Sequence, residues 1–291
     1  GGIEGVATGA TNMITLTDVD LNNNTVNNAP GNGGGLHMTG PGTIAITDGS
    51  VNGNTAGSEG GGLWNGSGTM TIDGTTISGN TASGDDPDQG GGGIYNLNGG
   101  TLTITSANIV NNTADGTAGS GGGILNDVGS NLSVTNSTIA FNSAVRAGGG
   151  IEDNSGTSTI LLTNVNLDNN DVVGPPGNGG GLHITGSGSA TILGGTVNGN
   201  SASQEGGGLW NGSGTMTVNN TEIDGNLALG SAAQDGGAAI LNVSGIVNIS
   251  FAEINNNMST GTSASGGAIL SLDGEVNISQ SSFEANAANR A

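Results

Sequence analysis

Aliphatic residues stand singly along this chain, set among Thr, Asn, Asp and Gly, and they return at fixed places. One follows a run of small residues at Ile3, Leu36, Leu63, Ile94, Ile124, Ile151, Leu182, Leu209, Ile240 and Ile269, at intervals of 27 to 33 residues. Another stands three places before an Asn at Leu21, Val51, Ile77, Ile109, Ile139, Leu167, Val197, Ile223, Ile254 and Phe283. Between them apolar and polar residues alternate, as with Met70 and Ile72 against Thr69, Thr71 and Asp73. A period of two is strand spacing, and no window holds the 3.6-residue period of an amphipathic helix. The spacing predicts three short strands per repeat, at Gly62–Asn65, Thr69–Asp73 and Thr76–Ser78 in the third, with Gly-containing turns between them.

Ten repeats of one pattern are the mark of a solenoid, because one unit cannot bury its apolar face alone and stacked neighbours make the core continuous. The expected fold is all-β, a parallel β-helix of about ten coils without significant helix. Equivalent side chains then lie over one another at roughly 4.8 Å, a spacing at which like charges repel and amides can bond in a ladder. Asn54, Asn80, Asn112, Asn142, Asn170, Asn200, Asn226, Asn257 and Asn286 are the expected rungs. The Gly runs at 33–35, 60–62, 91–93, 121–123, 148–150, 179–181 and 206–208 read as corners too tight for a Cβ.

Composition narrows the functions open to such a rod. The chain has 291 residues, 61 of them Gly, no Cys and a formal charge of −21; its cations are Arg146 and Arg290. So acidic a surface opposes nucleic acid and anionic lipid, and no apolar run approaches the ~18 residues of a membrane span. Without Cys there is no disulfide framework and no thiol chemistry. The opening lacks Met and a leader peptide, as expected of a mature or excised piece.

The GGAI of Gly266–Ile269 and the FEAN of Phe283–Asn286 resemble the GGA-[ILV] and F-x-x-N repeats of the polymorphic outer-membrane proteins. Elsewhere GGG replaces GGA and an aliphatic residue replaces Phe, so the likeness extends along the chain as a pattern. It implies a right-handed parallel β-helix of the kind found in bacterial autotransporter and adhesin passengers, and it implies an extracellular or cell-surface location.

Candidate chemistry is sparse. Pectate lyases and polygalacturonases use this fold too, but with Asp, Lys and Arg gathered in a groove, and this chain has no Lys. A carbohydrate-active enzyme needing only a carboxylate pair is one alternative, with Asp85, Asp86 and Asp88 together in one loop. The same cluster is a weak candidate for Ca²⁺, since its spacing fits no known loop. His37 and His183 hold equivalent places without Cys or a second His nearby, so neither metal binding nor nucleophilic catalysis is expected of them. A third possibility is ice binding through outward rows of Thr such as Thr69 and Thr71, Thr101 and Thr103, and Thr215 and Thr217, although other coils interrupt these rows.

The positions just after the first aliphatic row read Glu4, His37, Trp64, Tyr95, Leu125, Glu152, His183, Trp210, Leu241 and Leu270, and alternation turns them outward. Trp64, Tyr95, Leu125, Trp210, Leu241 and Leu270 are thus the expected lateral interface, either between neighbouring rods or beneath a loop. The chain also divides into five-coil units, 1–147 and 148–291, because Leu36, Leu63 and Ile94 recur 146 residues later. Gly1, Gly2, Ile3 and Glu4 following Asn289, Arg290 and Ala291 would resemble Val145–Glu152, which predicts continuation head to tail. The resulting expectation is a structural or adhesive extracellular solenoid without catalytic activity, whose partners are copies of itself, end to end and side by side.

Overall fold

Alternation, tight Gly corners and stackable amides fix the path of each coil. The structure, a computed structural model, describes residues 1–154 and 156–290; Ala291, at the predicted junction, lies outside them. In the third coil the strands are Leu63–Asn65, Thr69–Asp73, Thr76–Ser78 and Thr81–Ala82. Each pairs in parallel with its equivalents above and below, so that Leu63 lies between Leu36 and Ile94, and Met70 between Ile44 and Leu102. The coils build two sheets of ten strands and one of eighteen, with no helix among the described residues. The result is an all-β parallel solenoid of about ten turns.

Two details depart from the expected three-strand coil. Thr69–Asp73 and Thr76–Ser78 belong to one sheet, and in coils six and seven their counterparts fuse into Thr159–Asp168 and Ser189–Asn198. The residue between them is left-handed, Gly74 at φ 66° or Asn136 at φ 49°, and this shifts the alternation without turning a corner. Ile72, Thr75 and Ile77 therefore all face inward and are fully buried. The third side of the coil is instead the two-residue strand after the ladder Asn, too short to show a period. Its inward residue is small, Ala82 in the third coil, stacked on Ala56 and Ala114.

One core runs the length of the molecule, and Leu63, Met70, Ile72 and Ile77 are completely buried in it. Burying each such side chain is worth about 1.5–3 kcal/mol. Ile124 pairs with Ile151 as every other neighbour pairs, so residues on either side of position 147 form one continuous solenoid. At the Gly corners, Gly60 has φ 62°, and a Cβ on Gly61 would collide with the carbonyl oxygens of Gly92 and Thr81.

The Asn ladder lies inside the solenoid. Asn142 Oδ1 accepts from Asn112 N at 2.9 Å and Asn112 Nδ2 at 3.0 Å, while Asn142 Nδ2 donates to Ile109 O at 2.9 Å and Asn170 Oδ1 at 3.0 Å. Both amide protons and the carbonyl are used, which removes the cost of burying the group. The same bonds repeat from Asn54 to Asn286, and Asn24, which shares the spacing but is not among the expected rungs, adds a first one, donating from N and Nδ2 to Asn54 Oδ1.

Candidate functional site

The row after the first aliphatic position carries both Trp, the Tyr and both His of the chain, with Glu4 and Glu152. Trp64, Tyr95, Leu125 and Leu241 are buried, and Trp210 and Leu270 half-buried, so the predicted outward stripe is no free surface. Alternation points these side chains away from the core, where loop residues bond to Trp64, Tyr95 and Trp210. Trp64 Nε1 donates to Glu59 Oε2 at 2.9 Å, and Trp210 Nε1 donates to Glu205 Oε2 at 3.1 Å. Tyr95 Oη donates to Asp88 O at 3.2 Å, and Asp88 Oδ1 accepts from Asn154 Nδ2 at 2.8 Å, tying the roof across two coils. Beneath it His37 meets Trp64 edge-on at 4.5 Å, and Trp64 stacks on Tyr95 at 6.1 Å.

Burial sets the electrostatics under this roof. It pushes the Glu59 carboxyl up, against the bond from Trp64, with Asp127 and Asp88 adding to the rise. Glu205 is raised in the same way, opposed by its bond from Trp210. Desolvation, then the nearby Glu59, Asp127 and Asp88, push the Tyr95 phenol upward and keep it protonated.

A family model described as right handed beta helix region matches residues 3–197, two thirds of this chain. The chain belongs to the right-handed β-helix family. No curated protein and no solved structure matches it. The handedness implied by the outer-membrane repeats thus holds for the fold, while the likeness to that particular group remains one of motif.

Within this right-handed β-helix, Glu152 anchors a buried cluster of polar side chains. Glu152 is fully buried; its Oε2 lies 2.7 Å from His183 Nδ1 and its Oε1 accepts from Thr185 Oγ1 at 2.7 Å. Arg146 Nη1 stands 3.7 Å from Glu152 Oε1 and donates to Ser120 Oγ at 3.2 Å. The Thr185 hydroxyl donates to Glu152 and also lies 3.2 Å from His183 Nδ1, so Glu152, His183, Thr185 and Arg146 form one buried hydrogen-bonded cluster. Its counterpart in the first two coils is open. Glu4 is 67% exposed and 3.9 Å from His37, whose imidazole burial holds below its ordinary value despite Glu4.

A second ladder escaped sequence reading. Asn65 Nδ2 donates to Asn96 Oδ1, Asn96 to Asn126, and Asn126 to Asp153 Oδ1, at 2.8, 2.8 and 2.9 Å; Asn211 donates likewise to Asn242 at 2.8 Å. The signal was present in the triplets LWN, IYN, ILN, IED, LWN and ILN, whose third residue turns inward. Met38 precedes Asn65 and Ile184 precedes Asn211, and neither can donate, so Asn65 Oδ1 and Asn211 Oδ1 are buried without a partner among the described residues. Burial pushes Asp153 up to about 7, against the bond from Asn126 and with help from the adjacent Glu152.

The remaining candidates do not converge. Asp85 Oδ1 accepts from Thr117 N at 2.9 Å and Oγ1 at 3.1 Å, which holds its carboxyl below the usual range, and Asp88 turns to Asn154. With Asp86 exposed apart from them, no group of three acidic or His side chains among the described residues could hold a metal, so the Ca²⁺ candidate is not assembled. Thr69 and Thr71 do face outward, stacked on Thr101 and Thr103, but the next coils place Asn131, Ser133 and Leu161 in those rows.

Proposed function

We propose that this chain is a non-catalytic structural or adhesive segment of a bacterial surface filament or giant repeat protein. Its motifs resemble those of outer-membrane protein and autotransporter passengers, which supports this reading by analogy. The observation that carries the reading is the unbroken register of all three sheets through ten coils, with the same roofed loops recurring after 146 residues. Polar side chains under those loops are spent on each other, which favours a spacer or scaffold over a reaction centre. The first and tenth coils stand at the sheet edges, and their strands are templates on which further coils of the same kind can pair. Its partners, on this reading, are coils of its own kind; no helix among the described residues is long and apolar enough to cross a membrane.

Electron micrographs of the purified chain should show rods and end-to-end strings of rods. Incubation with acidic and neutral polysaccharides should release no sugars. Released oligosaccharides would revive the carboxylate-pair enzyme and overturn the proposal.

A further inference from the structure

The buried cluster at Glu152 is a filled version of a site that lies open at the other end of this unit. In the filled copy, the loop after Ser143–Ala144 brings Arg146 against Glu152 and Ser120, while Arg146 O accepts from Gly177 N at 3.2 Å and Asn178 N at 3.4 Å. In the open copy, Gly31, Asn32, Glu4 and His37 are the counterparts of Gly177, Asn178, Glu152 and His183, and they line a cavity of about 140 Å³. Pro30, which lines it too, matches Pro176. The loop that would fill it is also present. Counted from the strand Ala287–Ala288, Arg290 stands where Arg146 stands; its N donates to Ala264 O at 3.0 Å as Arg146 N does to Gly119 O. Ser265 follows Ala264 as Ser120 follows Gly119, although Ser265 bridges to Arg290 where Ser120 bridges to Ala147, and Arg290 is exposed.

We propose that the cavity bounded by Glu4, Gly31, Asn32 and His37 is a socket for the Arg290 loop of a second copy of this chain. Charge argues for this occupant: on a molecule of net charge −21, Arg290 is the one Lys or Arg besides Arg146, which is already engaged with Glu152. The docked guanidinium would pair with Glu4 as Arg146 pairs with Glu152, and the loop carbonyl would receive Gly31 N and Asn32 N. The inference rests on the end-to-end reading above and gives it a specific lock.

Sedimentation equilibrium of the whole chain over a range of concentrations tests it, with Glu4→Arg and Arg290→Glu made separately. Both positions are exposed, so both variants should fold, with circular dichroism as the check. The wild-type chain should self-associate, each variant alone should associate at least tenfold more weakly, and an equimolar mixture of the two should recover wild-type affinity. Equal association of wild type and variants would sink the socket while leaving end-to-end pairing through sheet edges intact. Failure of the mixture to recover would sink the Glu4–Arg290 pairing. A wild-type chain that stays monomeric at every concentration would sink socket and end-to-end reading together.

Discussion

At the scale of residues, the two ladders behave differently because one is complete and the other is not. Replacing Asn142 by Ala strips partners from Asn112 N, Asn112 Nδ2 and Ile109 O inside the solenoid. Buried groups left unpaired cost about 1–3 kcal/mol each, so Asn142→Ala should destabilise by at least 3 kcal/mol in urea unfolding, whereas the outward Thr103→Ala should stay within about 0.5 kcal/mol. The incomplete ladder ends on Asp153, whose folded carboxyl is raised to about 7 from 3.8. As pH rises through that window the unfolded chain releases its proton first, so folding must hold one the solvent would take, and stability falls between about pH 4 and 7. Glu59, Asp171 and Glu205 are shifted upward by burial too and push the same way. Asp153→Asn, which keeps a rung beneath Asn126, should raise the melting temperature at pH 8 by a few degrees and leave it little changed at pH 4. An unchanged profile would show that the carboxyl is not protonated in the folded state.

At the scale of elements, the left-handed bend between the short strands decides which residues each coil tolerates. The position before the ladder Asn is Asn111, Phe141, Asn169 and Gly199 in successive coils, with φ between 55° and 63°. Asn and Gly accept that conformation at low cost, but Phe141 does so as a residue 60% exposed, where packing returns little. Phe141→Asn should therefore stabilise the fold by about 1 kcal/mol, read as a shift in urea midpoint at constant slope. A loss of stability would mean that the ring packs in solution. Phe251 occupies the other bend at φ 53° and raises the same question.

At the scale of the whole molecule, stacking makes the rod resistant and its charge makes it sensitive to salt. The Arg146 side chain is 19% exposed and its backbone N is bonded to Gly119 O, so native trypsin digestion should leave the bond after Arg146 intact for hours. With a net charge of −21 spread along a narrow rod, screening should relieve self-repulsion, and the melting temperature should rise from low salt to about 0.15 M, where the Debye length is ~8 Å. The Thr face is broken by exposed Leu161, Leu193 and Ile246, so the purified chain should show no thermal hysteresis. Measurable hysteresis would favour ice binding instead.

The sequence by itself determined the solenoid, because a parallel stack turns each side-chain requirement into a column. Leu36, Leu63 and Ile94 must all suit one slot, and Asn54, Asn80 and Asn112 must all bond to each other, so the constraint is written ten times over and can be read without coordinates. Whatever happens once per coil at a bend, or once per molecule at a loop, lacks that redundancy. The inward turn of Thr75 and Asn65 depends on a local left-handed residue and a corner, and the two-residue third sheet has no period to detect. Only the tertiary structure could decide that Trp64 and Tyr95 lie under cover, because the loop over Tyr95 is tied down through Asp88 and Asn154, which are far apart in the chain.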